Sequence, residues 1–213
     1  VRAATPNTLA QSTFEAVMDM IVRGELSDGT AVSEREIAST LGVSRTPLRE
    51  ALGRLEGLNY LRRSGRTLLV NGVNFSDALE IMAVRRVLEG EAARVAARRM
   101  KRDTIADIRS SILSMEHSDA VDSSRHWDVD EMLHIAIAQA SGNRLLLSMV
   151  SDLRVRTRIF NKDRIPDRFD PGKAEHLQIL DAIEAGDEAA ASERMMAHIA
   201  NARDAILKAA AQA

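Results

Sequence analysis

The chain of 213 residues is 45% hydrophobic and 28% charged, has no cysteine and carries a net charge of -2. That length and apolar content suffice for one or two domains with cores of their own. The missing cysteines exclude disulfides, thiolate nucleophiles and thiolate metal ligands, so any metal must be held by oxygen and imidazole. Apolar stretches are broken by charge every few residues, with no run of membrane-spanning length and no signal-peptide pattern. The expectation is a cytoplasmic protein with no membrane partner. Charge is unevenly placed: Leu41 to Val70 holds six arginines against two glutamates, whereas residues 71–213 hold 20 basic and 23 acidic groups. A positive field confined to one short stretch is an electrostatic footprint for nucleic acid.

In chain order, a first helix is predicted from Leu9 to Arg23, followed by the connection GELSDGT. Ser33 to Leu58, SEREIASTLGVSRTPLREALGRLEGL, then reads as two short helices joined by a tight turn. Ser33 can cap the first helix, with Glu36 three residues on completing a capping box. Ile37 and Leu41 face inward, Gly42 supplies the left-handed helix end, Val43 plugs the turn, and Ser44 provides the next N-cap oxygen. Pro47 falls in the first turn of the second helix, where a missing N–H costs nothing, and Leu48, Leu52 and Leu55 form its buried stripe. Arg45, Thr46 and Arg49 are left at the exposed N-terminal end. Recognition helices enter the major groove by that end, and arginine can bond guanine O6 and N7 as a fork. YLRRSGRTLLV follows as two strands around Ser64-Gly65 with Arg62, Arg63 and Arg66 at the tip. Together these read as a winged helix-turn-helix rather than a solvated helical hairpin with scattered arginines.

The motif ERE-x-A-x-x-LGVSRTPLREAL-x-RLE resembles the N-terminal domain of the GntR family of bacterial transcription regulators, over about residues 8 to 70. Asn59 departs from that family's usual pattern. The resemblance implies that Arg35, Ser44, Arg45, Thr46 and Arg49 meet bases or phosphates in the major groove, and that Gly65 and Arg66 approach the minor groove. One recognition helix reads few bases, so a homodimer on double-stranded, palindromic operator DNA is expected.

Beyond Asn71-Gly72 strand signals vanish, and six amphipathic helices are predicted at about 77 to 100, 104 to 117, 122 to 140, 143 to 162, 172 to 185 and 188 to 210. Asp103, Asp122, Asp187 and Ser141-Gly142-Asn143 punctuate them, Asn143 as a cap, with one loop near Pro166 to Pro171. The expected fold class is therefore mainly α: a winged helix-turn-helix over residues 1–72 and an all-α antiparallel helical bundle over 73–213. Asp130 and His134 share a helix face with Trp127 and Ile137, His176 lies with Ile179 and Ile183, and His198 with Met195 and Ala202. A carboxylate and three imidazoles on three helices could converge on one divalent cation. Hydrogen-bonded core histidines are the alternative reading of the same spacing. His117 and His126 read as surface residues. Arg85, on the stripe Ile81, Arg85, Leu88, Ala92, Val95, and Arg156, on Met149, Leu153, Arg156, Phe160, could turn inward and bind an anionic effector. An internal salt bridge, for instance with Glu89, or snorkelling to solvent would satisfy them equally.

The pattern D-x3-H, then GN, EH-x-x-IL-x-AI-x-x-GD-x-x-A and a late MMAHI resembles the FCD effector-binding domain of the FadR subfamily, in its six-helix, VanR-like version, over residues 76 to 210. The resemblance implies Asp130, His134, His176 and His198 as metal ligands, with zinc first among divalent ions and nickel, manganese or iron also compatible. It further implies a dimer to which the bundle contributes. The expected protein is a transcription regulator, a repressor by default, whose operator affinity responds to a small organic acid bound at the metal. A bundle metalloenzyme acting on a small carboxylate is disfavoured: Glu131-x-x-His134 has no second copy for a di-metal site. No nucleophile with a paired base or phosphate loop is present either. An architectural DNA binder without effector is the third reading.

Overall fold

The computed structural model describes residues 9–115, 123–160 and 168–211, which divide between Asn74 and Phe75 into two compact units. The first holds α1 (Leu9–Val22), α2 (Glu34–Leu41), α3 (Arg45–Gly57), β1 (Leu61–Ser64) and β2 (Thr67–Val70). Its core joins the expected Ile37 of α2 and Leu48, Leu52 and Leu55 of α3 to Val17 and Ile21 of α1, closed by Tyr60, Leu61 and Val70. Burying each such side chain contributes about 1.5–3 kcal/mol. Gly42 ends α2 at φ +64°, a left-handed conformation that a Cβ would strain. The strands pair antiparallel from Leu61 opposite Val70 to Ser64 opposite Thr67. The connection after α1 runs along β2, where Val32 N donates to Leu68 O at 2.8 Å and Val70 N to Thr30 O at 2.9 Å. Asn59 takes a positive φ of 62° between α3 and β1. Asparagine tolerates that region, and the Asn71 amide bonds its carbonyl.

The second unit holds α4 (Phe75–Arg99), α5 (Arg102–Leu113), α6 (Ser123–Ala140), α7 (Arg144–Phe160), α8 (Phe169–Glu184) and α9 (Glu188–Ala210). Helix α4 packs against α6, α7, α8 and α9, while α8 also meets α5. The alanine-rich texture is explained by that central position. Ala92, Ala93 and Ala96 are fully buried, and a Cβ placed on Gly90 would stand 2.6 Å from Met196 Cγ, so small residues let α4 and α9 approach closely. Asp187 caps α9, accepting from Ala190 N at 3.0 Å, and Asn143 caps α7, accepting from Leu145 N and Leu146 N at 3.1 Å each. No helix among the described residues is long and apolar enough to cross a membrane.

Several local expectations need correction. Helix α8 begins at Phe169 rather than 172, because Pro171 sits in its first turn, where no intrahelical N–H bond is lost. Ser44 stands at the N-cap of α3 but its side chain makes no capping bond, whereas Ser33 accepts from Glu36 N at 3.4 Å. Asp103 lies in the first turn of α5, one residue inside the helix, and Lys101 is the N-cap. His117, Asp122, Pro166 and the predicted helix ends at 117 and 162 lie outside the described residues.

Candidate metal centre and nucleic-acid interface

Asp130 and His134, one turn apart on α6, meet His176 of α8 and His198 of α9. All four are buried, and one ligand atom from each lies within 4.8 Å of the others. His176 Nε2 stands 3.2 Å from His198 Nε2 and 3.4 Å from Asp130 Oδ1, and His134 Nε2 is 3.9 Å from Asp130 Oδ1. Donors sharing one ion at bonds of about 2.1 Å stand about 3.0–3.4 Å apart at right or tetrahedral angles. The nearer distances match that spacing.

Two further carboxylates orient the imidazoles. Glu89 of α4 accepts from His134 Nδ1, and Glu175 of α8 accepts from His198 Nδ1 at 2.8 Å. With Nδ1 carrying the proton, each ring turns the lone pair of Nε2 toward the cluster, the tautomer a metal ligand needs. Among the described residues His134 Nε2 is buried with no hydrogen-bond partner, a costly arrangement for a merely structural histidine. Burial, and then the charge of Arg154, lowers the His134 pKa to about 4. Burial likewise lowers that of His198, so both rings are neutral near pH 7. For Glu175, burial is outweighed by hydrogen bonds from His198, Arg168 and Asn201, which hold it down to about 2. For Glu89, burial is outweighed by Arg85 and His134, which keep it well below the usual carboxylate range.

The arginines divide differently from the sequence expectation. Arg85 is buried as expected, with Nε donating to Glu89 Oε1 at 2.6 Å and Nη1 to Thr157 Oγ1 at 3.2 Å. Arg156 pairs with Asp152 on its own helix at 2.8 Å, one-fifth exposed, the internal salt bridge of the alternative reading, whereas Arg85 lines the cavity beside the cluster. The buried stripe of α7 is Leu146, Val150, Arg154 and Thr157, while Met149 of the expected stripe is exposed. Arg154, which the sequence reading missed, donates to Asp130 Oδ2 at 2.7 Å and Glu131 Oε2 at 2.8 Å. His126, expected at the surface, is buried with its ring edge-on to Phe169 at 4.9 Å, because α6 is covered on more than one face. The cavity, about 50 Å³, is walled by Met82, Arg85, Trp127, Thr157, Ile199 and Ile206 beside Asp130, His134 and His198. A water needs about 10–15 Å³ on such a measure, so this one admits a guest of a few non-hydrogen atoms. Glu89 and Glu175 also escaped the site assignment. Their signals were slight: Glu89 one turn beyond Arg85, and Glu175 next to His176.

In the first unit, Arg35, Ser44, Arg45, Thr46, Arg49, Gly65 and Arg66 are all exposed. Arg45, Thr46 and Arg49 crowd the N-terminal turns of α3, whose free N–H groups favour phosphate, and the Ser44 hydroxyl is not spent on a cap. Other arginines are turned to the protein. Arg54 bonds Gln11 at 2.7 Å and lies over Phe14 at 4.4 Å, and Arg63 gives Nε and Nη2 to the two oxygens of Glu56 at 3.0 and 2.8 Å. Between α3 and the wing lies a groove of about 500 Å³ bordered by Glu34, Arg49, Glu56, Arg63 and Arg66.

Comparison with known proteins agrees with both halves. Residues 9–67 match the family model described as bacterial regulatory proteins, gntR family, and residues 80–201 match the FCD domain. The chain is 30% identical to the Nta operon transcriptional regulator of Aminobacter aminovorans, over 89% of this chain and 90% of that protein. It is 29% identical to the HTH-type transcriptional regulator LutR of Bacillus subtilis, over 88% and 96%. Among solved structures, McbR/YncC of E. coli shares the fold with a TM-score of 0.80 at 20% identity, covering 94% of this chain and 98% of that one.

Proposed function

The chain belongs to the GntR family of bacterial transcription regulators and carries an FCD domain, and from that premise we propose that its operator affinity is set by a small organic acid held at a divalent metal in the bundle. The observation that carries this reading is the buried Asp130, His134, His176 and His198 group, with His134 Nε2 lacking a hydrogen-bond partner among the described residues beside a small cavity. The donor set fits zinc, and nickel, manganese or iron by the same chemistry. When bound, such an ion supplies a Lewis-acid centre with coordination positions left for a carboxylate.

The chain's own residues do the rest. Glu89 and Glu175 fix the ring orientations of His134 and His198, and Arg154 fixes Asp130. Trp127, Met82, Ile199 and Ile206 keep the cavity apolar away from its polar end. Arg85 and Arg154 are matched in charge by Glu89 and Asp130, so a divalent ion leaves the centre positive and favours an anionic guest. Arg85, already at the cavity wall, is the proposed contact for that anion.

On the DNA side, the reading assigns base and phosphate contacts to Arg35, Ser44, Arg45, Thr46 and Arg49, and minor-groove approach to Gly65 and Arg66, within a homodimer on a palindromic site. A guest that prefers one arrangement of the dimer would change operator affinity with a coupling free energy of about 1–3 kcal/mol. Calorimetric titration of a panel of two- to six-carbon carboxylates, with and without metal and operator DNA, tests it. Binding that requires metal and alters operator affinity is expected. Acids that bind metal-stripped protein equally well would overturn the metal-held effector, and unaltered operator affinity would leave an architectural binder.

A further inference from the structure

Arg49 is tethered. Its Nε donates to Glu34 Oε2 at 2.8 Å, across fifteen residues of sequence and from α3 back to the first residue of α2. The side chain is nonetheless 64% exposed. An arginine has five N–H donors in a rigid fork, and with Nε spent on the carboxylate, Nη1 and Nη2 still present the end-on edge that matches guanine O6 and N7. The contrast with Arg63 is informative, since that side chain gives both Nε and Nη2 to the two oxygens of Glu56 and so spends its fork within the protein. Glu34 is itself well placed to hold a neighbour: it opens α2 directly after the Ser33 cap, in the turn where a carboxylate complements the helix dipole.

We propose that Glu34 is the positioning residue for base reading by Arg49, fixing the guanidinium in its outward rotamer before DNA arrives. The arrangement exchanges affinity for discrimination. A carboxylate beside the DNA-facing surface repels phosphate and weakens binding to every sequence, while a pre-ordered fork loses less freedom on meeting the right base. Glu34 therefore has effects of opposite sign on random and operator DNA. Loss of a purely structural contact would weaken both alike.

The inference rests on α3 being the base-reading helix, and the test separates the two. The wild-type protein first selects its operator from a randomised duplex pool. Affinities are then measured for that operator, for each single base-pair substitution of it and for random duplex, using wild type, Glu34→Gln, Glu34→Asp and Arg49→Ala, all checked for folding by thermal melting. For Glu34→Gln, a drop of about tenfold in the operator-to-random ratio is expected, part of the discrimination of one bidentate contact. Random-duplex binding should be unchanged or tighter, and the lost discrimination should fall at the base pairs to which Arg49→Ala becomes indifferent. Glu34→Asp should recover part of the ratio. An unchanged ratio in Glu34→Gln, or loss at base pairs unrelated to Arg49, overturns the proposal. An Arg49→Ala protein with wild-type operator discrimination, or a wild type that enriches no sequence, overturns the reading of α3 itself.

Discussion

Arg154 of α7 donates from Nη2 to Asp130 Oδ2 of α6 at 2.7 Å with both side chains buried. Asp130 thus holds one oxygen to an arginine while the other faces His176 at 3.4 Å. Burying an unpaired carboxylate is costly, so Arg154→Ala should destabilise the metal-free protein by about 3–5 kcal/mol. A divalent ion would give Asp130 a new positive partner. Urea denaturation with and without zinc should therefore show a smaller loss in the loaded variant; an equal loss in both would mean that Asp130 gains nothing from the ion.

One divalent ion per chain is expected, absent from His134→Ala and His176→Ala. Because metal binds the folded chain, chelation should lower the melting temperature, and loading at a hundredfold excess over the dissociation constant stabilises by about 2.7 kcal/mol. Elemental analysis alongside thermal melting measures both. Wild type that stays metal-free after reloading, and melts identically in chelator, would return the three imidazoles to a packed core.

Glu89→Gln should weaken metal binding about 10–100-fold, since the carboxylate that accepts the His134 Nδ1 proton is lost and the ring no longer favours a bare Nε2. Glu175→Gln should act in the same direction through His198. Competition against a chromophoric chelator reads the change directly. Wild-type affinity in both variants would show that the rings are oriented by packing alone.

At the DNA interface, Arg45→Ala should lose about 1–3 kcal/mol of operator binding and relax discrimination at the bases it meets, with the fold intact because the side chain is exposed. Arg66→Ala should weaken operator and scrambled DNA alike and reduce the slope of log affinity on log salt by about one. Mobility shifts across a salt series distinguish the two behaviours. Operator binding by Arg45→Ala equal to wild type would remove that residue from the interface.

What could be read directly from the chain was whatever a single helix or turn decides. Gly42 ending α2, Pro47 opening α3 and the leucines at 48, 52 and 55 are local signals, each set by backbone sterics or 3.6-residue spacing within one element. Asp130 with His134, and the apolar neighbours of His176 and His198, were legible for the same reason. Family resemblance then brought the three helices to one site, a step that spacing leaves open.

Tertiary structure alone decided between faces and between partners. On α7, two stripes offset by one position each carried an arginine, and an aliphatic preference could not choose Leu146, Val150, Arg154 over Met149, Leu153, Arg156. Arg154 is inside because Asp130 and Glu131, more than twenty residues away, compensate its burial. Glu89 meets His134 across 45 residues and Glu34 meets Arg49 across fifteen, and His126 is buried because Phe169 of another helix covers it. Periodicity within an element fixes which residues share a face. Which face meets which neighbour, and hence whether a buried charge finds its counter-charge, depends on the packing of the whole bundle.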